Sequence, residues 1–205
     1  MTKEKTKSFV CPAWSDFPDI ELYMDQVISV LERYLSPLYP EEEKCITSTM
    51  INNYVKQRLL PPPENKRYGK KHLAYLFMSS VLKRVMQLSD IGLLLENLVA
   101  EQGEEGTFTL FGQELSAALA GLFDNSEKIP LKKGKAARVV RTCCEAFAAI
   151  LYSRSVFVSA SFEGKNTEPE KKEKKEKDKS KDKGKKDKSK DKKDPKEKNK
   201  KTEKK

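Results

Sequence analysis

Apart from two prolines, the last forty-one residues contain no apolar side chain, which confines any folded core to the residues before them. Residues 165–205 hold twenty-one lysines and eleven acidic residues, a net charge of +10. Ordering a backbone costs roughly 1–2 kcal/mol per residue, and this segment cannot bury enough apolar surface to offset that cost. We therefore predict a disordered lysine-rich C-terminal tail over residues 164–205, after a body large enough for one core.

The function of the tail has two interpretations, because its lysines alternate with aspartate and glutamate. The interleaved acids weaken the positive field, which is typical of a solubilising appendage. The remaining net charge would also allow salt-sensitive, non-specific association with DNA.

The body is neutral overall, but its charge is uneven along the chain. Twenty basic and twenty acidic residues precede the tail, so the formal charge of +10 of the whole chain lies in the tail. Residues 44–88 nevertheless hold nine lysines and arginines against a single acid, Glu64, a net charge of +8. A neutral domain with one basic third is expected to present that third to a polyanion.

The cellular location is predicted from what the sequence lacks. Met1–Val10 is charged and has no apolar stretch of a signal peptide, and the apolar run Ala146–Tyr152 is far short of the ~20 residues that span a bilayer. The four cysteines show no spacing of a disulfide framework and predict reduced thiols, with Cys45 and the Cys143–Cys144 pair packed in the core. We expect a cytoplasmic, nucleoid-associated protein without membrane contact.

Helical periodicity predicts an all-α fold for the body, a compact helical domain. Apolar residues recur at helical spacing, and proline, glycine and capping residues separate the segments. Asp19 and Thr47 or Ser48 are the expected caps of the first two helices, and 71–88 is apolar nearly all round, which indicates the most buried helix. The predicted helices cover residues 19–35, 47–59, 71–88, 90–100, 110–123 and 135–153.

The segments between these helices complete the predicted organisation. Residues 61–68 form a rigid, polar connection, residues 101–106 a loop, and residues 156–158 a short strand or the frayed end of the last helix. The chain is then divided into a flexible leader at 1–18, a helix-turn-helix DNA-binding region at 19–100, a helical C-terminal extension at 101–163 and the tail.

The helix predicted over residues 47–59 has two clearly different sides. At 100° per residue, Thr49, Asn52, Asn53 and Lys56 fall on one arc, and apolar residues occupy the other. Threonine and asparagine are weak helix formers, whereas asparagine pairs bidentately with adenine in the major groove. We interpret these four residues as base-contacting. The alternative is a surface helix with an ordinary capping cluster.

A stiff, basic connection follows this helix. The string Leu59-Leu60-Pro61, the basic Lys66-Arg67-Tyr68 and the capped step Ser89-Asp90-Ile91 resemble the helix-turn-helix and wing of MerR-type regulators. The resemblance implies a recognition helix, a short wing and phosphate contacts around them. The residues assigned to phosphate contact are Ser48, Tyr54, Arg58, Lys66, Arg67, Tyr68, Lys70 and Lys71.

This chain departs from the MerR pattern at three positions. Asn52 stands for the arginine of the family, Asn53 for its first tyrosine and Arg58 for its usual glycine, and the wing is several residues shorter. Phosphate contacts that the missing arginine would supply are therefore expected from Arg58, Lys66 or Arg67.

A second resemblance covers residues 19–98. It rests on Leu22-Tyr23-Met24-Asp25-Gln26-Val27, on Thr47-Ser48-Thr49-Met50-Ile51-Asn52-Asn53-Tyr54-Val55-Lys56, and on the later Pro61-Pro62-Pro63 and His72-Leu73-Ala74-Tyr75-Leu76. These strings look like the bacterial family named domain of unknown function 1836. The resemblance implies a MerR-like DNA-binding fold and brings no activity.

Taken together, these features predict a transcriptional regulator that binds double-stranded DNA sequence-specifically. A homodimer is compatible with this prediction. An interaction module that docks a protein partner and binds no DNA is the alternative. We predict no catalytic centre, metal site or cofactor, because the single histidine, His72, has no second histidine, motif-borne carboxylate pair or glycine-rich phosphate loop beside it. His72 is expected at the surface or against a phosphate.

Overall fold

The computed structural model describes residues 9–40, 42–124 and 134–160, with side chains as far as residue 157. In this part of the chain the fold is all-α and compact, with five α-helices and no named strand. The predicted tail, residues 1–8 of the leader, Glu41 and residues 125–133 between the last two helices lie outside the described residues. The helices are α1 (Met24–Leu35), α2 (Ser48–Lys56), α3 (Lys70–Leu82), α4 (Leu88–Phe123) and α5 (Lys135–Ala160).

Helix α3 is the centre of the core, as its all-round apolar pattern predicts. Ten of its thirteen residues are buried, and it packs against α1, α4 and α5. Phe77 meets the Phe108 ring edge-on at 5.7 Å and the Phe111 ring at 6.3 Å, and Phe17 from the leader meets Phe108 at 5.0 Å. Such tilted and edge-to-face pairs add to the burial of apolar area that drives folding.

The predicted start of the first helix is wrong. Asp19 does not cap it, and α1 begins at Met24. The cause is long-range, because Leu22 and Tyr68 exchange two backbone hydrogen bonds of 2.9 Å that hold Leu22 extended. Asp19 forms an ion pair with Lys70 instead.

The second half of the body also differs from its prediction. The helix predicted over 71–88 ends at Leu82, and a turn separates it from α4. The segment predicted as a loop over 101–106 is helical except at Gly103, whose non-helical backbone angles (φ 75°, ψ 174°) form a kink, so α4 consists of two helical parts that meet inside the predicted segment. Thr107 Oγ1 donates to the Gly103 carbonyl at 2.8 Å, a side-chain contact across the first turn after the kink. Helix α4 thus runs across the boundary predicted between residues 100 and 101.

Helices α4 and α5 lie along each other and form the most extensive helix pair of the described residues. Glu114, buried on α4, accepts from Arg141 of α5 at 2.6 and 3.0 Å, and the rings of Phe123 and Tyr152 meet edge-on at 5.5 Å. Residues 156–158 continue α5, which excludes the alternative of a strand. None of the described helices combines the length and the apolarity needed to cross a bilayer.

Candidate nucleic-acid interface

Helix α2 has the two-sided character that its sequence predicts. It begins where Met50 N–H donates to Thr47 Oγ1 at 3.2 Å, which confirms Thr47 as the cap. Ile51 and Tyr54 anchor its inner side in the core. The outer side is a shallow depression lined by exposed side chains together with half-buried Met50. The exposed ones are Thr49, Asn52, Asn53 and Lys56.

The two asparagines of this outer side have different surroundings. Asn53 Oδ1 accepts from Gln57 Nε2 at 3.2 Å, a bond between neighbouring turns of the helix end. Asn52 borders both the depression and a neighbouring cleft that separates α2 from the start of α1. The cleft is also lined by Tyr23, Gln26, Lys66 and Tyr68.

The connection between α2 and α3, residues 57–69, contains unusual backbone. Arg58, Asn65 and Lys66 have φ values of 58°, 49° and 62°, and they are the non-glycine residues with positive φ in the described chain. Asn65 and Lys66 form the centre of a tight turn in which Arg67 N–H donates to the Glu64 carbonyl at 2.8 Å. Two positive φ values at the centre are the geometry of a type I′ hairpin. We call Glu64–Arg67 the hairpin turn.

Arg58 occupies the left-handed position that ends α2. It follows the C-cap residue Gln57, and the next residue, Leu59, donates its N–H to the Tyr54 carbonyl at 3.0 Å. Glycine is the usual residue at such a position, since a side chain there costs about 1–2 kcal/mol. A strained conformation that persists at an exposed arginine points to a function of the side chain rather than to stability.

Replacing Arg58 with glycine is therefore expected to raise the free energy of unfolding by about 1 kcal/mol, even though a side chain is lost. Urea denaturation of the full chain measures this. The matched control is Gln57→Gly one residue earlier, at φ −84°, where glycine gains nothing and should lower stability by roughly 0.5–1 kcal/mol. A loss of stability in the Arg58 variant would contradict the assignment of strain.

The residues assigned to phosphate contact fall into three groups. Ser48, Arg58, Lys66 and Lys71 are exposed around α2 and the connection. Arg67 and Lys70 are half-buried and already have partners. The Arg67 guanidinium lies 4.7 Å from the centre of the Tyr23 ring and donates to its hydroxyl at 2.9 Å, and the Lys70 ammonium pairs with Asp19.

The third group is two tyrosines of the core. Tyr54 and Tyr68 are each 3% exposed, which leaves little of either ring for a phosphate. Burial raises the pKa of Tyr54 to about 12. Tyr54 anchors α2, and Tyr68 joins the connection to Leu22 just before α1, so we assign both a structural role.

Two cations of the basic third are engaged with the segment that leads into α2. Lys83 Nζ donates to the Cys45 carbonyl at 3.4 Å, and Arg84 donates to Glu43 Oε1 at 2.6 Å while its guanidinium lies 4.9 Å from the Tyr39 ring. Burial lowers the pKa of Lys83. These contacts hold the segment that leads into α2. The net charge of +8 therefore overstates the charge of the exposed face, and no local sequence pattern indicates these partners.

His72 is buried, with 4% of its surface exposed, so its expected place at the surface or against a phosphate is wrong. Its Nδ1 accepts the N–H of Gly69, the N-cap of α3, at 2.9 Å. Burial and the neighbouring Lys71 lower the pKa of the imidazole. The residue therefore belongs to the junction between the connection and α3.

The cysteines of the body serve packing. Cys45 and Cys144 are buried in the core, as expected, and Cys143 Sγ lies 3.6 Å from Met86 Sδ. Burial raises the pKa of the Cys143 and Cys144 thiols, which disfavours the reactive thiolate. Across the described ranges, no three histidine, cysteine, aspartate or glutamate residues are grouped as metal ligands would be.

Comparison with known proteins gives a family match and no function. Residues 12–113 match the model of the family described as Domain of unknown function (DUF1836). No curated protein and no solved structure matches the chain. The matched region includes α1, α2, the connection, α3 and more than half of α4, and it agrees with the resemblance over residues 19–98.

Proposed function

We propose that the body of this chain, which matches the DUF1836 family over residues 12–113, binds specific double-stranded DNA with α2 in the major groove. Through this binding the protein would regulate transcription. The observation that carries this proposal is the exposed face of α2. An α-helix is about 10–12 Å across with its side chains and fits a major groove about 12 Å wide. Asn52 and Asn53 supply paired donors and acceptors for base edges, and Thr49 and Lys56 extend the same face.

Cations surround that face where phosphates would lie. Arg58 follows the end of α2, and Lys66 stands at the tip of the hairpin turn and lines the same cleft as Asn52. Phosphate contacts set the register of a protein on the duplex, whereas base contacts give the sequence preference. In this proposal α1 and α2 act as a MerR-like helix-turn-helix, and the hairpin turn acts as its short wing.

The direct test is selection of duplexes from a random library by the full chain, followed by affinity measurements on the selected site. We expect one enriched motif and an affinity that falls steeply with salt. Recovery of a random pool, with affinity independent of sequence, would overturn the proposal of specific binding.

Replacing Lys66 with alanine should weaken binding to every duplex alike and reduce the slope of log affinity against log salt by about one. The reason is that a side chain which neutralises a phosphate releases a counterion whatever the sequence. Titrations at several salt concentrations measure the slope. Lys135→Ala, on α5 outside the candidate interface, is the control and should leave it unchanged. An unchanged slope in the Lys66 variant would remove the hairpin turn from the interface.

One observation favours the second candidate, a module that docks a protein. Helix α5 exposes apolar side chains: Val139 is 41%, Val156 42% and Phe157 68% exposed. Exposed apolar surface beyond scattered single residues is typical of interaction sites. A protein partner, or a second copy of this chain in a DNA-bound dimer, would use α5 and leave α2 open. If the selection yields no motif, binding assays should turn to α5.

A further inference from the structure

His72 is the only histidine of the chain and is buried where three parts of the molecule meet. From α3, it accepts the Gly69 N–H of the connection. The ring of Tyr68, also from the connection, lies edge-on at 5.5 Å from the imidazole. The charged groups that face it are Lys71 on its own helix and Glu104 on α4.

The hydrogen bond at Nδ1 defines the protonation state of the ring. Because Nδ1 accepts a hydrogen bond from the Gly69 N–H, it carries no proton itself, and the neutral imidazole has its proton on Nε2. Nε2 is buried without a hydrogen-bond partner among the described residues. Adding a proton at Nδ1 would place two donors face to face and add a charge beside Lys71 in a buried place.

The connection is attached to α1 independently of this contact. Leu22 and Tyr68 exchange two backbone bonds, and Arg67 bonds to the Tyr23 hydroxyl. The His72 side chain joins the end of the connection, at Gly69, to α3. Its hydrogen bond is therefore the contact of this junction that responds to protonation near neutral pH.

We propose that His72 makes the attachment of the connection to α3 dependent on pH, so that protonation of its imidazole releases the Gly69 N–H, loosens the hairpin turn and weakens DNA binding. The DNA-binding part of this inference rests on the proposed function. The structural part does not.

The matched variant is His72→Gln. Glutamine at the third helical position accepts the N-cap N–H in a capping box, so it keeps the bond and cannot be protonated. A histidine whose folded pKa lies below the unfolded value of about 6.5 contributes stability that is complete above that value and is lost as pH falls through the folded pKa. We expect the melting temperature of the full-length wild-type chain to fall by several degrees relative to the variant between pH 7.5 and 5.0.

Nuclear magnetic resonance on the wild-type chain tests the structural part without any variant. The imidazole protons should titrate below the ordinary histidine value, and the Gly69 amide should shift and lose protection from hydrogen exchange in the same pH range. The inference would be overturned if the melting temperatures of the two proteins changed equally with pH. It would also be overturned if the Gly69 amide did not change while the imidazole titrates.

The DNA arm uses the selected duplex at constant salt. Below the folded pKa, the association constant of the wild-type chain should fall relative to the variant by up to about tenfold per pH unit, the limit for one linked proton. A constant ratio across pH, with both proteins binding, overturns the regulatory part. If neither protein binds any duplex at pH 7.5, the proposed function fails. The melting temperatures and the amide titration then test the structural part of the inference by themselves.

Discussion

Replacing Arg141 with methionine should lower the free energy of unfolding by about 3 kcal/mol, the lower end of the range for breaking a buried ion pair. Glu114 is 5% exposed and receives two hydrogen bonds from the guanidinium, at 2.6 and 3.0 Å. The variant leaves this carboxylate buried without its cation. The lower end applies because the Arg141 side chain keeps 18% of its surface exposed.

Two further variants serve as controls for Arg141→Met. The free energy of unfolding of all three is measured by urea denaturation of the full chain. The double variant with leucine at both 114 and 141 removes both charges and should recover most of the loss, because apolar residues can replace a buried pair at little cost. Arg154→Met breaks the exposed pair with Glu43, whose atoms are 3.6 Å apart, and should cost less than about 1 kcal/mol. A loss as small for Arg141 as for Arg154 would show that the α4–α5 pair is solvated and has no structural weight.

Alanine at Asn52 or at Asn53 should each weaken binding to the selected duplex by ~1–3 kcal/mol, which is about fivefold to 150-fold, and weaken binding to random duplex little. Each substitution removes an amide and with it a bidentate contact with a base edge, and that contact exists only on the cognate sequence. Both side chains are exposed on α2, and alanine is a better helix former than asparagine, so folding should be intact.

Asn97 provides a matched control for these two variants. It is an exposed asparagine on a helix, α4, and its Nδ2 donates to the Leu93 carbonyl at 2.6 Å. Asn97→Ala should leave both affinities unchanged. Competition titrations with selected and random duplex measure the preference. Equal losses on the two duplexes in the Asn52 and Asn53 variants would mean that α2 touches DNA without distinguishing bases.

The features that the sequence predicts correctly are determined locally. The cap of α2 depends on one side chain and the N–H three residues later, and both are visible in the string Thr47 to Met50. The burial of α3 follows from apolar residues on all its sides. The face of Thr49, Asn52, Asn53 and Lys56 needed only helical spacing, because residues three and four apart lie on one side.

The features that the sequence predicts wrongly depend on a residue that is distant along the chain. The start of α1 depends on Leu22 pairing with Tyr68, forty-six positions away, and no local pattern carries that information. The same holds for Arg67 against Tyr23 and for the burial of His72. The segment around Gly103 looked like a loop from its glycines, yet its glutamates favour helix and a single positive φ accommodates the bend.

The course of α4 affects how this protein can change in evolution. Phe111 faces α3, and Glu114, one turn further along the helix, meets Arg141. Two neighbourhoods, one inside the family match and one beyond it, thus constrain the same stretch of sequence. A lineage could neither exchange nor lose the C-terminal extension as a separate module without also redesigning residues inherited with the matched region. The family match ends at residue 113, which lies inside α4 and not between separately packed segments.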